Sequence, residues 1–336
     1  MPEARVAVFG AAGYTGALAA RLLSRHPYFD LTAVTARSEV GRALDELYPH
    51  HRVPMVLEEL DIDRHADVDA AIVAYPHGAA AEVVAQLNNR GVRVVDLSAD
   101  FRLRDVEVYE QWYRQHEAPS LIDSAVYGLP ELGYREQIAS AEIVANPGCY
   151  PTAALLALQP LARHGLIDDV VIDAKSGVSG AGRAATDKTH FVSVDENVNA
   201  YGVTGHRHTP EIEQELAALG SELRISFMPH LLPLDQGELV SCYVTIPDHA
   251  ELDGESLHEL YATAYYEEPF IELVDIAPGV RDVRETNICR ISTHFDRRTR
   301  RAIVFGAIDN LWKGSSSAAI QNLNLMFGRP EGEGIS

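Results

Sequence analysis

The sequence has no apolar run near the ~20 residues needed to cross a bilayer. It has almost no lysine: Lys175, Lys188 and Lys313 are the only ones, so arginine carries nearly all the positive charge. Acidic side chains outnumber basic ones, and the formal net charge is -21. That balance excludes nucleic-acid binding through a basic face and docking on anionic lipid. Cys149, Cys242 and Cys289 are the only cysteines, odd in number and far apart. Neither a disulfide framework nor a metal-ligand spacing can be drawn from them, so no metal is expected. The opening Met1-Pro-Glu-Ala-Arg5 runs straight into a strand without the layout of a signal peptide. The expected compartment is therefore a reducing cytoplasm. No internal repeat and no Pro-rich linker are visible.

What is present suggests about two domains, from 336 residues of which 46% are hydrophobic. The first half alternates apolar strands with helices, the pattern of a doubly wound parallel sheet. A strand over 6–9 leads into Gly10-Ala-Ala-Gly13-Tyr-Thr-Gly16 and a helix over 18–23. Glycines there let the backbone approach a pyrophosphate, which then meets a helix N-terminus. Gly10, Ala12, Gly13, Tyr14, Thr15 and Gly16 are the candidate cofactor contacts; the alternative is an ordinary tight strand-to-helix turn. The second strand ends at Arg37 and Ser38 instead of an acidic residue. A guanidinium suits a 2′-phosphate, so the cofactor reads as NADP(H). The strand over 69–75 ends in Pro76-His77-Gly78, on the ligand side of such a sheet. His77 there either lines the cofactor site or caps a helix. After the strand over 92–96, Ser98 and Arg102 either bind an anion, with Asp100 orienting Arg102, or form a local salt bridge under a loop.

In Asn146-Pro-Gly-Cys149-Tyr-Pro-Thr152 a short strand meets a turn and then a strong helix former. Cys149 is expected in that turn, with Pro151 at the first helical position. A helix N-terminus favours a thiolate and lowers a thiol's pKa. The other reading of Cys149 is a small buried residue. Downstream, a strand over 170–173 precedes Lys175-Ser-Gly-Val-Ser-Gly-Ala-Gly-Arg183, read as a loop. Its backbone N–H groups, with Lys175 and Arg183, make a candidate phosphate cradle. In Gly205-His206-Arg207-His208-Thr209-Pro210-Glu211, Thr209 is the expected N-cap of a helix. His206 and His208 then lie at its positive end, which favours neutral rings able to accept a proton. Strands are expected over 223–227, 239–246, 288–291 and 302–305, a helix over 255–266 and a final helix over 315–326. The expected domains are 1–148 for the cofactor and 149–309 for catalysis and oligomerisation, with 310–336 returning to the first. With no spacer between them, the site is expected in the cleft they share.

A nucleotide fold, a cysteine at a helix start, two histidines and anion-binding loops suggest one chemistry. A thiolate attacks an acyl phosphate, and a hydride reduces the thioester to an aldehyde. The motifs carry a resemblance. The stretches at Gly10–Gly16, Asp96-Leu-Ser-Ala-Asp-Phe-Arg102, Tyr127-Gly-Leu-Pro-Glu-Leu132, Asn146–Ala153, Lys175–Arg183, Gly205–Ile212 and Asp309-Asn-Leu-Trp-Lys-Gly314 resemble the N-acetyl-gamma-glutamyl-phosphate reductase family, in matching order from about residue 5 to 328. The resemblance implies NADPH-dependent reduction of N-acetyl-L-glutamyl 5-phosphate to its semialdehyde in arginine biosynthesis. It implies a Rossmann-like domain, an α+β catalytic domain with a mixed sheet like that of glyceraldehyde-phosphate dehydrogenase, and a homodimer or homotetramer. By it, Cys149 is the nucleophile, His208 the proton-transfer residue, and His206 orients substrate. Ser176, Gly177 and Asn310 join the cofactor contacts; Ser98, Arg102, Asn146, Lys175, Gly182 and Arg183 bind substrate or phosphate.

One stretch departs from the family pattern. Where an Arg-Gly-Ile/Met-Leu run is usual, this chain has Gln236-Gly-Glu238-Leu239. An arginine is lost and a negative charge gained, which bears on specificity or assembly. Two alternatives are a reductase of a carrier-linked aminoadipyl or glutamyl phosphate, which lacks the Tyr150-Pro151 pattern, and a noncatalytic NADP-binding sensor, which needs neither Cys149 nor the histidines.

Overall fold

The computed structural model describes residues 3–335. The chain forms two compact units: one runs to Gly148 and resumes at Ser315, and the other is Cys149–Gly314.

The first unit holds six parallel strands: β1 (Ala4–Phe9), β2 (Phe29–Thr35), β3 (Ala70–Val73), β4 (Arg93–Asp96), β5 (Ala125–Tyr127) and β6 (Ile143–Ala145), in the order β2-β1-β3-β4-β6-β5. Every residue of β3 is buried, as a strand covered on both faces requires. The order reverses on either side of β1, which places the glycine turn at a strand end where such sheets take ligands. β5 was not expected from the sequence; its three residues are too few for an alternation to register.

The second unit is built on a mixed sheet of seven strands: β7 (Asp169–Gly177), β8 (Asn199–Ala200), β9 (Ser226–Leu232), β10 (Glu238–Thr245), β11 (Ile271–Leu273), β12 (Cys289–Asp296) and β13 (Arg301–Ile308), ordered β11-β12-β13-β10-β7-β9-β8. β7 pairs β9 and β11 pairs β12 in parallel; the other pairs are antiparallel. One face carries the helix Cys149–Arg163, in which every residue from 150 to 162 is buried. An added Cβ at Gly306 would meet Ala153 O at 3.1 Å, Val240 Cγ2 at 3.2 Å and Ala157 Cβ at 3.4 Å, so helix and sheet touch there backbone to backbone.

That helix continues through Pro160, which lacks the N–H that would bond Leu156 O and ought to disrupt the helix. Tyr265 Oη donates to Leu156 O, and Tyr261 Oη donates to Ala157 O. Both tyrosines come from the helix Gly254–Ala264 and its C-terminal cap. The carbonyl that proline leaves open is thus satisfied from outside.

Candidate active site

Cys149 is itself the first residue of the buried helix and is partly exposed. The helix therefore starts earlier than the proline pattern suggests, and Pro151 falls in its first turn, where a missing N–H still costs nothing. Close packing fixes the cysteine: a Cβ at Gly314 would lie 2.8 Å from Cys149 Cβ.

Next in the helix, Tyr150 is buried and donates from its hydroxyl to His230 O at 3.3 Å. Tyr201 Oη donates to Tyr150 Oη at 3.2 Å. Burial pushes both phenols far up, so both stay neutral. The Tyr150 ring meets His206 edge-on at 5.8 Å and His208 at 5.9 Å between centroids. The structure thus brings Cys149, His206 and His208 together around Tyr150.

His206 is lowered to about 4, first by burial and then by the Arg207 charge. Its ring is neutral at pH 7. His206 Nδ1 accepts the His208 backbone N–H at 3.1 Å, so the ring hydrogen belongs on Nε2. The helix here is Thr209–Ala218, with His208 in the cap position and no side-chain cap bond. The expected Thr209 cap is therefore one residue late: His208 adopts helical angles, and Thr209 is already inside the helix.

Lys175 is a correction to the expected loop. β7 continues to Gly177, and its two-residue alternation puts Lys175 on the face away from the Cys149–Arg163 helix. There Lys175 Nζ pairs with Asp173 Oδ2 at 2.6 Å and donates to Ser241 Oγ at 3.3 Å. Ser176 and Gly177 are buried. A Cβ at Gly177 would press on Asp235 O at 2.5 Å, so only glycine fits. Asn310 accepts from Gly237 N at 2.7 Å and donates to Ser179 Oγ at 3.0 Å, pinning two loops together. Gly182, with φ +87°, and Arg183 are exposed.

One residue at this site escaped sequence reasoning as anything but a departure. Glu238 opens β10 with 0% exposure, and neither carboxyl oxygen has a hydrogen-bond partner among the described residues. Burial pushes its pKa up to about 8; interaction with the Cys149 thiol pulls it down and the Asp309 charge pushes it up. The signal was a charge in an otherwise apolar strand pattern.

In the first unit, Gly10 has φ +93°, and a Cβ there would lie 2.6 Å from Ala74 O. A Cβ at Gly16 would collide with Gly10 O. The backbone therefore folds into a tight turn leading into the helix Tyr14–Leu23, whose N-cap Gly13 makes no side-chain cap bond. Ala12 sits buried within the turn, and Ser316 Oγ donates to Thr15 O at 2.8 Å. Arg37 and Ser38 are exposed just past β2. The Arg37 guanidinium lies over the Tyr75 ring at 4.7 Å and donates to Ala79 O at 3.2 Å. This turn and exposed guanidinium fit a dinucleotide. Pro76 is exposed, and His77 Nδ1 accepts Ala99 N–H at 3.0 Å, which holds the β4 loop.

Ser98, Arg102 and Asn146 are all buried, at 0%, 5% and 1% exposure. Ser98 Oγ donates to Asp96 Oδ2, Arg102 Nε to Asn146 O and Nη2 to Leu97 O, and Asn146 Nδ2 to Ser315 O. Asp100 accepts from Gly78, Ala80 and Ala81 N–H groups and from Tyr109 Oη, which ties it to the start of the helix Ala81–Asn88. These groups build the strand ends from within.

Two family models match: "Semialdehyde dehydrogenase, NAD binding domain" over 5–141 and "Semialdehyde dehydrogenase, dimerisation domain" over 149–310. A protein of Desulforudis audaxviator named N-acetyl-gamma-glutamyl-phosphate reductase is 48% identical, covering 98% of this chain and 97% of its own length. One of the same name from Moorella thermoacetica is 47% identical over 97% and 96%. The chain belongs to the N-acetyl-gamma-glutamyl-phosphate reductase family. It is an oxidoreductase whose cofactor is a nicotinamide dinucleotide. Aspartate semialdehyde dehydrogenase II of Vibrio cholerae shares the fold, with a TM-score of 0.73 at 18% identity over 98% of this chain and 99% of that one. Among the described residues no helix is long and apolar enough to cross a membrane.

Proposed function

We propose that this chain reduces N-acetyl-L-glutamyl 5-phosphate to N-acetyl-L-glutamate 5-semialdehyde with NADPH, through a thioester on Cys149. The name shared by full-length relatives at 44–48% identity carries the substrate. The cysteine at the head of a buried helix, packed against Gly314, supports the covalent route.

Cys149 Sγ attacks the acyl carbon; the C–S bond forms and the C–O bond to phosphate breaks. A thioester accepts hydride more readily than a carboxylate, which is the gain from the covalent step. When bound, the dinucleotide supplies that hydride. His206, neutral with its hydrogen on Nε2, orients substrate by donating to an oxygen. His208 serves as the proton-transfer residue, an assistance worth roughly 10²–10⁴-fold. Arg37 selects the phosphorylated cofactor, since its guanidinium lies exposed over Tyr75.

The assay runs the reaction backwards, as phosphate-dependent NADP⁺ reduction with N-acetylglutamate semialdehyde. Turnover is expected in the intact chain and loss to background in Cys149→Ala. Absence of turnover in the intact chain, or its survival in the variant, overturns the reading.

A further inference from the structure

The segment 44–51 has no part in the reaction just described, yet two of its rings lie against the glycine turn. Its short helix, Leu44–Leu47, ends at Tyr48, whose N–H bonds Leu44 O at 2.9 Å, and His51 N–H bonds Tyr48 O at 2.9 Å. Both side chains are buried, Tyr48 at 7% exposure and His51 at 6%. Their rings stack at 5.3 Å and 17°, and the Tyr14 ring meets Tyr48 edge-on at 6.2 Å. Each of the two reaches one backbone carbonyl. Tyr48 Oη donates to Ala12 O at 2.8 Å, inside the turn. His51 Nδ1 donates to Ala17 O at 3.2 Å, in the first turn of the helix Tyr14–Leu23. Arg25 Nη2, just past that helix, donates to His51 O at 3.2 Å and ties the segment down from the other end.

The Ala12 bond matters for the peptide unit it holds. The unit joining Ala12 to Gly13 is fastened on both sides: its carbonyl by Tyr48 Oη, its N–H by Gly10 O at 3.3 Å. Gly13 itself does nothing to stop that unit turning over. Glycine takes positive φ without steric cost, and a Cβ here would meet Gly10 O only at 3.7 Å. Beyond the turn, the first N–H groups of the helix find no acceptor within it, and they are the donors an anion meets. Turned over, the unit would swing Ala12 O out of the interior and beside Gly10 O. The negative ends of two carbonyl dipoles would then gather where an anion has to approach.

We propose that Tyr48 is a positioning residue for the dinucleotide: its hydroxyl keeps the Ala12–Gly13 unit from turning over and so keeps the turn open to a pyrophosphate. The proposal rests on the cofactor binding at this turn, and not on the thioester route. Tyr48 acts through the backbone of Ala12. His51 braces its ring by stacking and fastens the helix start to the same segment.

The test is equilibrium binding, without substrate, of NADPH and of adenosine 2′-monophosphate, which carries no pyrophosphate. Tyr48→Phe keeps the ring and removes only the hydroxyl. It is expected to bind NADPH roughly 3–30-fold more weakly than the intact chain, and the adenosine phosphate equally well. In the reductase assay the same variant is expected to raise KM for NADP⁺ by that factor with kcat unchanged, the mark of lost binding alone. Tyr48→Leu, without ring or hydroxyl, guards against misfolding of the first variant and should show the same split between the two ligands. NADPH affinity within about 2-fold of the intact chain overturns the proposal, since a bond of this kind is worth more. An equal loss for both ligands also overturns it, because it would show a structural role only. An intact chain that binds no NADPH overturns it together with the cofactor reading. The split between ligands in a chain that fails the reductase assay would support Tyr48 in this role and remove the substrate reading instead.

Discussion

Arg37 sits at the end of β2 with its guanidinium over Tyr75 and exposed to solvent. Arg37→Asp removes the only charge proposed for a 2′-phosphate and brings in one that repels it. The expected result is a fall in the NADP/NAD preference by at least ~10-fold, since a charge-assisted bond is worth about 1.5–3 kcal/mol. An unchanged ratio of kcat/KM for the two cofactors would remove Arg37 from that role. This residue was legible in the sequence because its place is set by its distance from a recognisable strand end. Cys149 was legible for the same reason. Lys175 was not: the glycines that follow it read as a loop, while pairing with β9 and β10 extends the strand and turns its side chain to the other face. Glu238 was visible only as a misplaced charge. Its burial follows from long-range register, which no local pattern encodes.

Among the elements, the Cys149–Arg163 helix has the most to hold, because it carries the thiol at one end and Pro160 near the other. Sequence alone supports a strong helix former after Pro151 and gives no account of Pro160. What carries the helix past Pro160 is a pair of tyrosines about a hundred residues later in the chain. Removal of the Tyr265 hydroxyl leaves Leu156 O without that donor in a dry interior. Tyr265→Phe is expected to cost about 1–3 kcal/mol by denaturant unfolding. A change below about 0.5 kcal/mol would show that the proline gap is satisfied some other way. The Thr209–Ala218 helix teaches a smaller lesson: Thr-Pro-Glu predicts its position to within one residue, but not that a histidine with helical angles stands at the cap.

At the scale of the whole molecule, the alternation of strands and helices made the parallel sheet readable, and the change of character after residue 148 marked the second unit. The mixed sheet was only half readable, since β8 and β11 have two and three residues and exist through their neighbours. The folded chain also stores protons. Asp96 and Glu238 are pushed up to about 7 and about 8, chiefly by burial. Unfolded, such groups ionise near ~4. The native state therefore holds more protons between those limits, and stability falls as pH rises through them, levelling off above about 8. His51 and His206, both lowered to about 4 chiefly by burial, act in the other sense and lose stability as pH falls from about 6.5 towards 4. Between pH 6.5 and 8 the carboxyls outweigh the histidines, whose unfolded rings shed their remaining protons just above 6.5. The melting temperature is expected to fall over that interval, and to fall less in Glu238→Gln; a rise would contradict the assignment of buried, protonated acids.

The covalent role proposed for Cys149 joins these scales, because helix start, packing and family all bear on that one sulfur. It is tested most directly by incubating the chain with N-acetylglutamate semialdehyde and NADP⁺ without phosphate, then weighing its peptides. The prediction is an N-acetylglutamyl adduct on Cys149, formed with a single burst of NADPH and discharged when phosphate is added. An unmodified Cys149 after the burst, or the adduct on another residue, would contradict it.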